Sequence, residues 1–203
     1  MSGLDQQMTE SSMPSMRSVV EAIHKRQSPI KLREPAPDST ALDEMLMAGM
    51  CGPDHGRLKP WRFVVISREG RDALGNLLAE SLKAREPESS YSALEREREK
   101  AFRAPTIVVV VARALERKSV PYIEQVIAAG IAAYNVLLAA SMLGYGGMWR
   151  TGPAAYDQVV KSALGMSAGE ELIGFLYLGT PEAPPPARKL PALEAYTTRW
   201  PVI

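Results

Sequence analysis

The stretch Pro105-Thr106-Ile107-Val108-Val109-Val110-Val111-Ala112, PTIVVVVA, decides the architecture. A strand with one wet face alternates apolar and polar residues. This run does not alternate, and its β-branched valines favour extended backbone, so it predicts a strand covered on both faces. A sheet built around it must carry helices on each side.

Two more strands follow from similar composition, RFVVIS (62–67) and ELIGFLYLGTP (171–181), and a short fourth follows the glycines of GYGGMWRT. Helices are expected over about 16–24, 40–50, 70–84, 121–144 and 153–164. In the second, Leu42, Met45, Leu46 and Met50 point inward; in the third, Leu74, Leu77, Leu78 and Leu82 form one stripe. The charged segment 86–103 reads as a solvated helix or a lid. Segment 121–144 is apolar nearly all round and rich in small residues, which predicts a central helix shared with a partner chain. Strands and helices are interspersed but irregularly connected. The pattern alone leaves α/β and α+β both open.

A chain of 203 residues suffices for one well-filled domain. Its 46% hydrophobic and 23% charged residues fit a soluble globular protein. A net charge of +1 without a clustered basic face argues against nucleic acid. The single cysteine, Cys51, permits no internal disulfide and fits a reducing, cytoplasmic compartment. Residues 1–15 read as a disordered polar tail, without the basic start and apolar core of a signal peptide. The main domain spans 16–182. The Pro-rich extension 183–203 carries Tyr196 and Trp200 and is expected to pack on the domain or on a partner subunit. No apolar run reads as a membrane span.

Metal chemistry finds too few ligands: His24 and His55 lie far apart, and Gly52-Pro53 interrupts the helical spacing between Cys51 and His55. Cys51 has no partner motif and reads as a small buried hydrophobe. GYGG (144–147) leads from helix to strand, the reverse of a dinucleotide-binding loop. Three cationic clusters remain: Lys25-Arg26-Gln27-Ser28 with Lys31; His55, Arg57 and Lys59; and Trp149-Arg150-Thr151. Basic residues at a helix C-terminus are favoured by its dipole in any case. Taken together, the clusters suit a planar, phosphorylated ligand.

The order of these segments resembles the nitroreductase superfamily of flavoproteins. The marks are Arg26-Gln27-Ser28 after the first helix, PDHGRLKPWRFVVI, AASMLGYGGMWRTG and GFLYLGTP, spanning about 17–182. More narrowly, the AGM-x-x-PDH, AFRAP and G-x-WR-T-G segments resemble the compact YdjA-type NAD(P)H nitroreductases. The resemblance implies a three-layer α+β fold, with a mixed or antiparallel sheet covered by helices, in an intertwined homodimer. It implies FMN at the dimer interface, with NAD(P)H as co-substrate and a nitroaromatic, quinone or similar small-molecule acceptor, reduced by a ping-pong mechanism. By the resemblance Arg26, Gln27, Ser28, Trp149, Arg150 and Thr151 bind flavin, and Cys51 and His55 match flavin-contacting loop positions. Ala139, Ala140, Ser141, Met142, Leu143 and Gly144 match a segment assigned to the nicotinamide nucleotide. Arg57 and Lys59 stand where the family loop carries amides, and Gln27 where Arg or His is frequent. Lys59 or Lys31 beside the pyrimidine end of FMN would stabilise the reduced flavin. No catalytic side chain is required. The rival reading is a flavin carrier or sensor without significant reductase turnover.

Overall fold

The computed structural model describes residues 16–115, 119–185 and 188–201; the tail expected over 1–15 lies outside them. In chain order the elements are α1 (Met16–Lys25), β1 (Leu32–Arg33), α2 (Ser39–Gly49), β2 (Trp61–Ser67), α3 (Glu69–Arg85) and α4 (Tyr91–Arg98). Then come β3 (Thr106–Ala112), α5 (Tyr122–Met142), β4 (Gly146–Arg150), α6 (Gln158–Ala163) and β5 (Glu171–Pro181).

β3 is buried along its whole length. It pairs antiparallel with β2 on one edge and β5 on the other. β5 takes β4 along its opposite edge, and its last residues pair with β1. Every pairing among the described residues is antiparallel, which resolves the open choice in favour of α+β.

The pleat divides β3 between two cores. Ile107, Val109 and Val111 pack with Leu74 and Leu78 of α3 and Val160 of α6. Val108 and Val110 pack with Met45 of α2 and Val136 and Leu137 of α5. The result is three layers, α3/α4/α6, sheet, and α2/α5. α5 is long and apolar enough to cross a membrane by length and composition, with a mean hydropathy of 1.6. Here it is the central helix under the sheet, with Ala129, Ala132, Ala133 and Val136 fully buried. Its small residues let α2 approach closely: a Cβ on Gly49 would come within 2.9 Å of Val136.

Several local expectations change. Met50 caps the end of α2 and is 49% exposed, so it does not point inward. The helix expected over 153–164 is broken, because Asp157 leaves helical backbone (ψ 125°) to accept the Val159 N–H. A 3-10 turn, Pro153–Tyr156, precedes that cap and α6 follows it. Within segment 86–103 lies the helix α4, packed on α3 and capped by Ser90. The last residues before β3 turn inward, with Ala101 and Ala104 buried. In the extension, the described residues 188–201 lie exposed, with Tyr196 78% and Trp200 89% accessible.

Candidate functional site

α1 ends where Pro29, which is buried, cannot continue it. The Arg26 N–H donates to the Ala22 carbonyl at 2.8 Å, so Arg26 stands at the helix terminus. Its guanidinium lies 5.9 Å from the centroid of the Tyr134 ring on α5. Its Nε is buried with no hydrogen-bond partner among the described residues. A buried guanidinium N–H left open is costly, and an acceptor supplied from outside the chain relieves it. Gln27 is half-buried and Ser28 exposed beside it. From the C-terminal extension Arg188 donates to the Arg26 carbonyl at 2.6 Å, tying the tail to this corner.

The loop after α2 is held by its own polar groups. The Asp54 carboxylate accepts the Lys59 N–H at 2.7 Å. Between them Gly56, Arg57 and Lys59 adopt left-handed backbone, with φ of 75°, 54° and 50°. Non-glycine residues pay for that conformation, and such outliers concentrate at functional sites. Gly52 is pressed on α5, where a Cβ would meet Ile131 at 2.9 Å. His55 Nδ1 lies 2.6 Å from Glu124 Oε2 near the start of α5. Cys51 is exposed, its Sγ donating to the Met47 carbonyl at 3.3 Å, so the buried reading of that thiol is corrected.

β4 separates the side chains of the third cluster. Trp149 turns toward α5: its indole N–H donates to the Ile173 carbonyl at 3.2 Å, and its ring covers Gly174, where any Cβ would collide with it. Arg150 lies on the opposite face with Met148, and Thr151 is exposed beyond the strand. The three segments therefore converge on one stretch of α5. Trp149 reaches Gly130, Gly52 meets Ile131, and Arg26 covers Tyr134.

The segment 139–144 behaves differently. Ala139, Ala140, Ser141 and Met142 finish α5, Leu143 caps it, and Gly144 turns the chain at φ 85°. Ala140 is fully buried in the core, so its side chain is closed to any ligand; Ser141, Met142, Leu143 and Gly144 are exposed.

On the far side of β4 lies a cavity of about 510 Å³ lined by Lys31, Phe102, Arg103, Met148, Arg150 and Glu182, with Ile30 and Leu32. Sequence reasoning named neither Arg103, which lines this cavity, nor Arg188, which bonds to Arg26. Each stands far along the chain from the clusters it joins, and only AFRAP pointed to the first. Among the described residues no group of metal-ligating side chains assembles.

Some cations elsewhere are paired with carboxylates. Arg62 and Arg113 flank Glu170 at 3.0 and 3.4 Å. Asp157 takes Arg85 at 2.7 Å and the Ser81 hydroxyl at 2.5 Å. Burial opposes the charge on Asp157, but bonds from Ser81, the Val159 N–H and Arg85 outweigh it and hold the carboxyl below its ordinary range. Burial likewise opposes the charge on Glu170, and the Ser167 N–H, Arg62 and Arg113 win.

Residues 23–180 match the model of the nitroreductase family. The chain is 40% identical over 163 residues to YdjA of Escherichia coli (strain K12), provisionally named an NAD(P)H nitroreductase, covering 80% of this chain and 88% of that one. Its fold is similar to a nitroreductase-like family protein from Bacillus cereus, with a TM-score of 0.81, 21% identity, and 94% and 100% of the two chains covered. It is also similar to a mutant of the FMN and NADPH-dependent nitroreductase NfnB from Sphigopyxis sp. strain HMH, with a TM-score of 0.72, 18% identity, and 90% and 99% coverage. At those identities the two structures speak to the fold.

Proposed function

Because this chain belongs to the nitroreductase family, we propose that it is an FMN-dependent oxidoreductase that uses NAD(P)H to reduce nitroaromatic, quinone or similar acceptors by a ping-pong mechanism. The observation that carries the flavin assignment is Arg26, whose buried Nε has no partner among the described residues while its guanidinium is held against Tyr134. A phosphate oxygen is the acceptor that such a donor suits best. Bound FMN would supply a two-electron relay, which the chain's own side chains do not offer.

The protein's part is binding and orientation. Arg26 and Ser28 take the phosphate end, with Arg188 steadying the Arg26 backbone from the tail. Trp149, immobilised on Gly174, forms a flat apolar wall, and Thr151 adds a hydroxyl at the strand's end. The loop 52–59 is fixed on α5 by Gly52 and by His55 against Glu124. This loop carries Lys59, whose backbone is fixed by Asp54. His55 acts through position and transfers no proton.

The site is completed by a second copy. α1, α2 and α5 leave Val20, Ile23, Met47, Tyr122, Ile123 and Ile127 exposed. Apolar surface of that extent on helices marks an interface. The exposed Tyr196 and Trp200 of the extension are available to the same partner.

The test is anaerobic. Purified protein is expected to be yellow and to release FMN on denaturation, and NADH or NADPH is expected to bleach it. Reciprocal plots at several fixed acceptor concentrations should be parallel. A yellow protein that neither nucleotide bleaches is a carrier or sensor; a colourless protein that takes up no FMN ends the flavin reading.

A further inference from the structure

Ser67 and Thr106 form the last pair of the β2–β3 ladder, and beyond them the sheet stops at a cavity of about 370 Å³. None of the residues lining it belongs to the three cationic clusters. Thr106 is its buried polar wall. The residue is 2% exposed and lines the cavity, and its hydroxyl has no hydrogen-bond partner among the described residues. A hydroxyl so placed is costly unless a polar group from outside the chain meets it. On one side the loop between β1 and α2 brings two carboxylates, Glu34 and Asp38. Each gives one oxygen to the backbone: Glu34 Oε2 accepts the Ala36 N–H at 2.6 Å, and Asp38 Oδ1 accepts the Ala41 N–H at 2.8 Å. The other oxygen of each is unbonded among the described residues. The Thr180 hydroxyl donates to the Pro35 carbonyl at 2.8 Å and pins this loop to β5. On the other side stands Arg68, which forms no ion pair among the described residues. Its φ of 45° is a conformation that a non-glycine residue adopts only at a cost.

We propose that this cavity binds a small zwitterion, a free α-amino acid with an apolar side chain. An ammonium has three N–H donors and no acceptor. The open oxygens of Glu34 and Asp38 and the Thr106 hydroxyl are three acceptors for it. The ligand's carboxylate takes the Arg68 fork, with the Ser67 hydroxyl on the same wall. Charge selects the zwitterion: a lone anion meets two carboxylates, and a lone ammonium leaves Arg68 without a counter-charge. Size agrees, because about 370 Å³ lies near the lower end of the ~300–1,000 Å³ of small-molecule sites. Leu42, Pro37 and Pro105 supply the apolar wall for the side chain. Asp38 caps α2 and Thr106 opens β3, so a ligand held by both braces that helix against the sheet and raises the melting temperature.

The full-length protein is titrated calorimetrically with L-alanine, L-valine and L-leucine. The single-charge counterparts of leucine, 4-methylpentanoate and 3-methylbutylamine, are titrated beside them. Saturable one-to-one binding of at least one amino acid is expected, with both counterparts weaker than leucine by about tenfold or more. Arg68→Ala and Thr106→Val should each weaken binding by a similar factor, about tenfold. Asp38→Asn keeps an oxygen to cap α2 while removing the charge, and should do the same. Arg96→Ala on α4 is the charge control. Arg68 is exposed, so its removal leaves the fold intact, and that variant decides should Thr106→Val melt early. No saturable binding by any of the three amino acids overturns the proposal. So does equal binding of either counterpart, unchanged affinity in Arg68→Ala or Asp38→Asn, or the same loss in Arg96→Ala. The flavin reading stands or falls separately, because none of these residues enters it.

Discussion

Two ends of the same sheet treat arginine in opposite ways. Where β2 and β3 meet the start of β5, Arg62 and Arg113 share Glu170, and on the neighbouring helices Arg85 meets Asp157. Around β4 and the end of α1, Arg26 has a buried nitrogen without an acceptor, and Arg103 and Arg150 lack carboxylates among the described residues. Both ends use the same side chain. The difference is whether the chain itself supplies the anion. Where it does, the charge fixes loops and helix caps; where it does not, the proposed reading makes the cation a place for a bound anion.

The sharpest way to break this contrast is Arg26→Ala. It is expected to weaken FMN binding by about 1.5–3 kcal/mol, the range of a charge-assisted hydrogen bond, with little change in melting temperature. A fluorescence titration and a thermal melt on one sample separate the two effects. A variant that melts early and binds FMN normally would make Arg26 a structural residue like Arg85.

The mirror experiment is Asp157→Ala. Removing a buried acceptor strands Ser81, Arg85 and the Val159 N–H and should cost about 1–3 kcal/mol in urea unfolding, leaving the flavin affinity of the folded protein unchanged. The pH dependence follows from the depressed carboxyl. Above the ordinary carboxylate range the native and unfolded states are both ionised, and the stabilisation is fully present. As pH falls below about 4 the unfolded state takes up the proton first, so the advantage is lost through the native pKa and the gap between wild type and variant closes.

His55→Asn should cost less than about tenfold in kcat at saturating flavin, because His55 is held by Glu124 and needs no proton to give; a removed general acid would cost about 10²–10⁴-fold. Stopped-flow rates of each half-reaction distinguish the two. The smallest effect concerns Lys59. Lys59→Gly should relieve the left-handed backbone and add about 1 kcal/mol of stability while loosening flavin binding. Gain in stability without loss of affinity would place Lys59 with the structural cations.

Much of this was legible in the chain because it rests on local pattern. The unalternating valines of β3 required two covered faces, and the apolar length of α5 required a central position. The order of Arg26-Gln27-Ser28, the Pro-Trp loop and Trp149-Arg150-Thr151 pointed to the family. What stayed hidden depends on contacts distant in sequence. β1 is two residues long and exists through pairing with Thr180 and Pro181. Asp157 breaks a helix because Ser81 and Arg85 wait for its carboxylate. The positive φ of Arg57 and Lys59 carries no glycine to announce it. Arg103 lines the cavity beside β4 because the turn before β3 brings it there.

The seating of Trp149 on Gly174 has an optical consequence. The chain has three tryptophans, and they occupy three environments: Trp61 half-covered at the start of β2, Trp200 almost wholly in solvent, and Trp149 anchored by its indole N–H to Ile173. A chromophore that cannot turn emits with high anisotropy, whereas Trp200 emits at longer wavelength. A ligand arriving beside β4 should therefore quench the polarised component and spare the red-shifted one, so the protein carries its own reporter of occupancy.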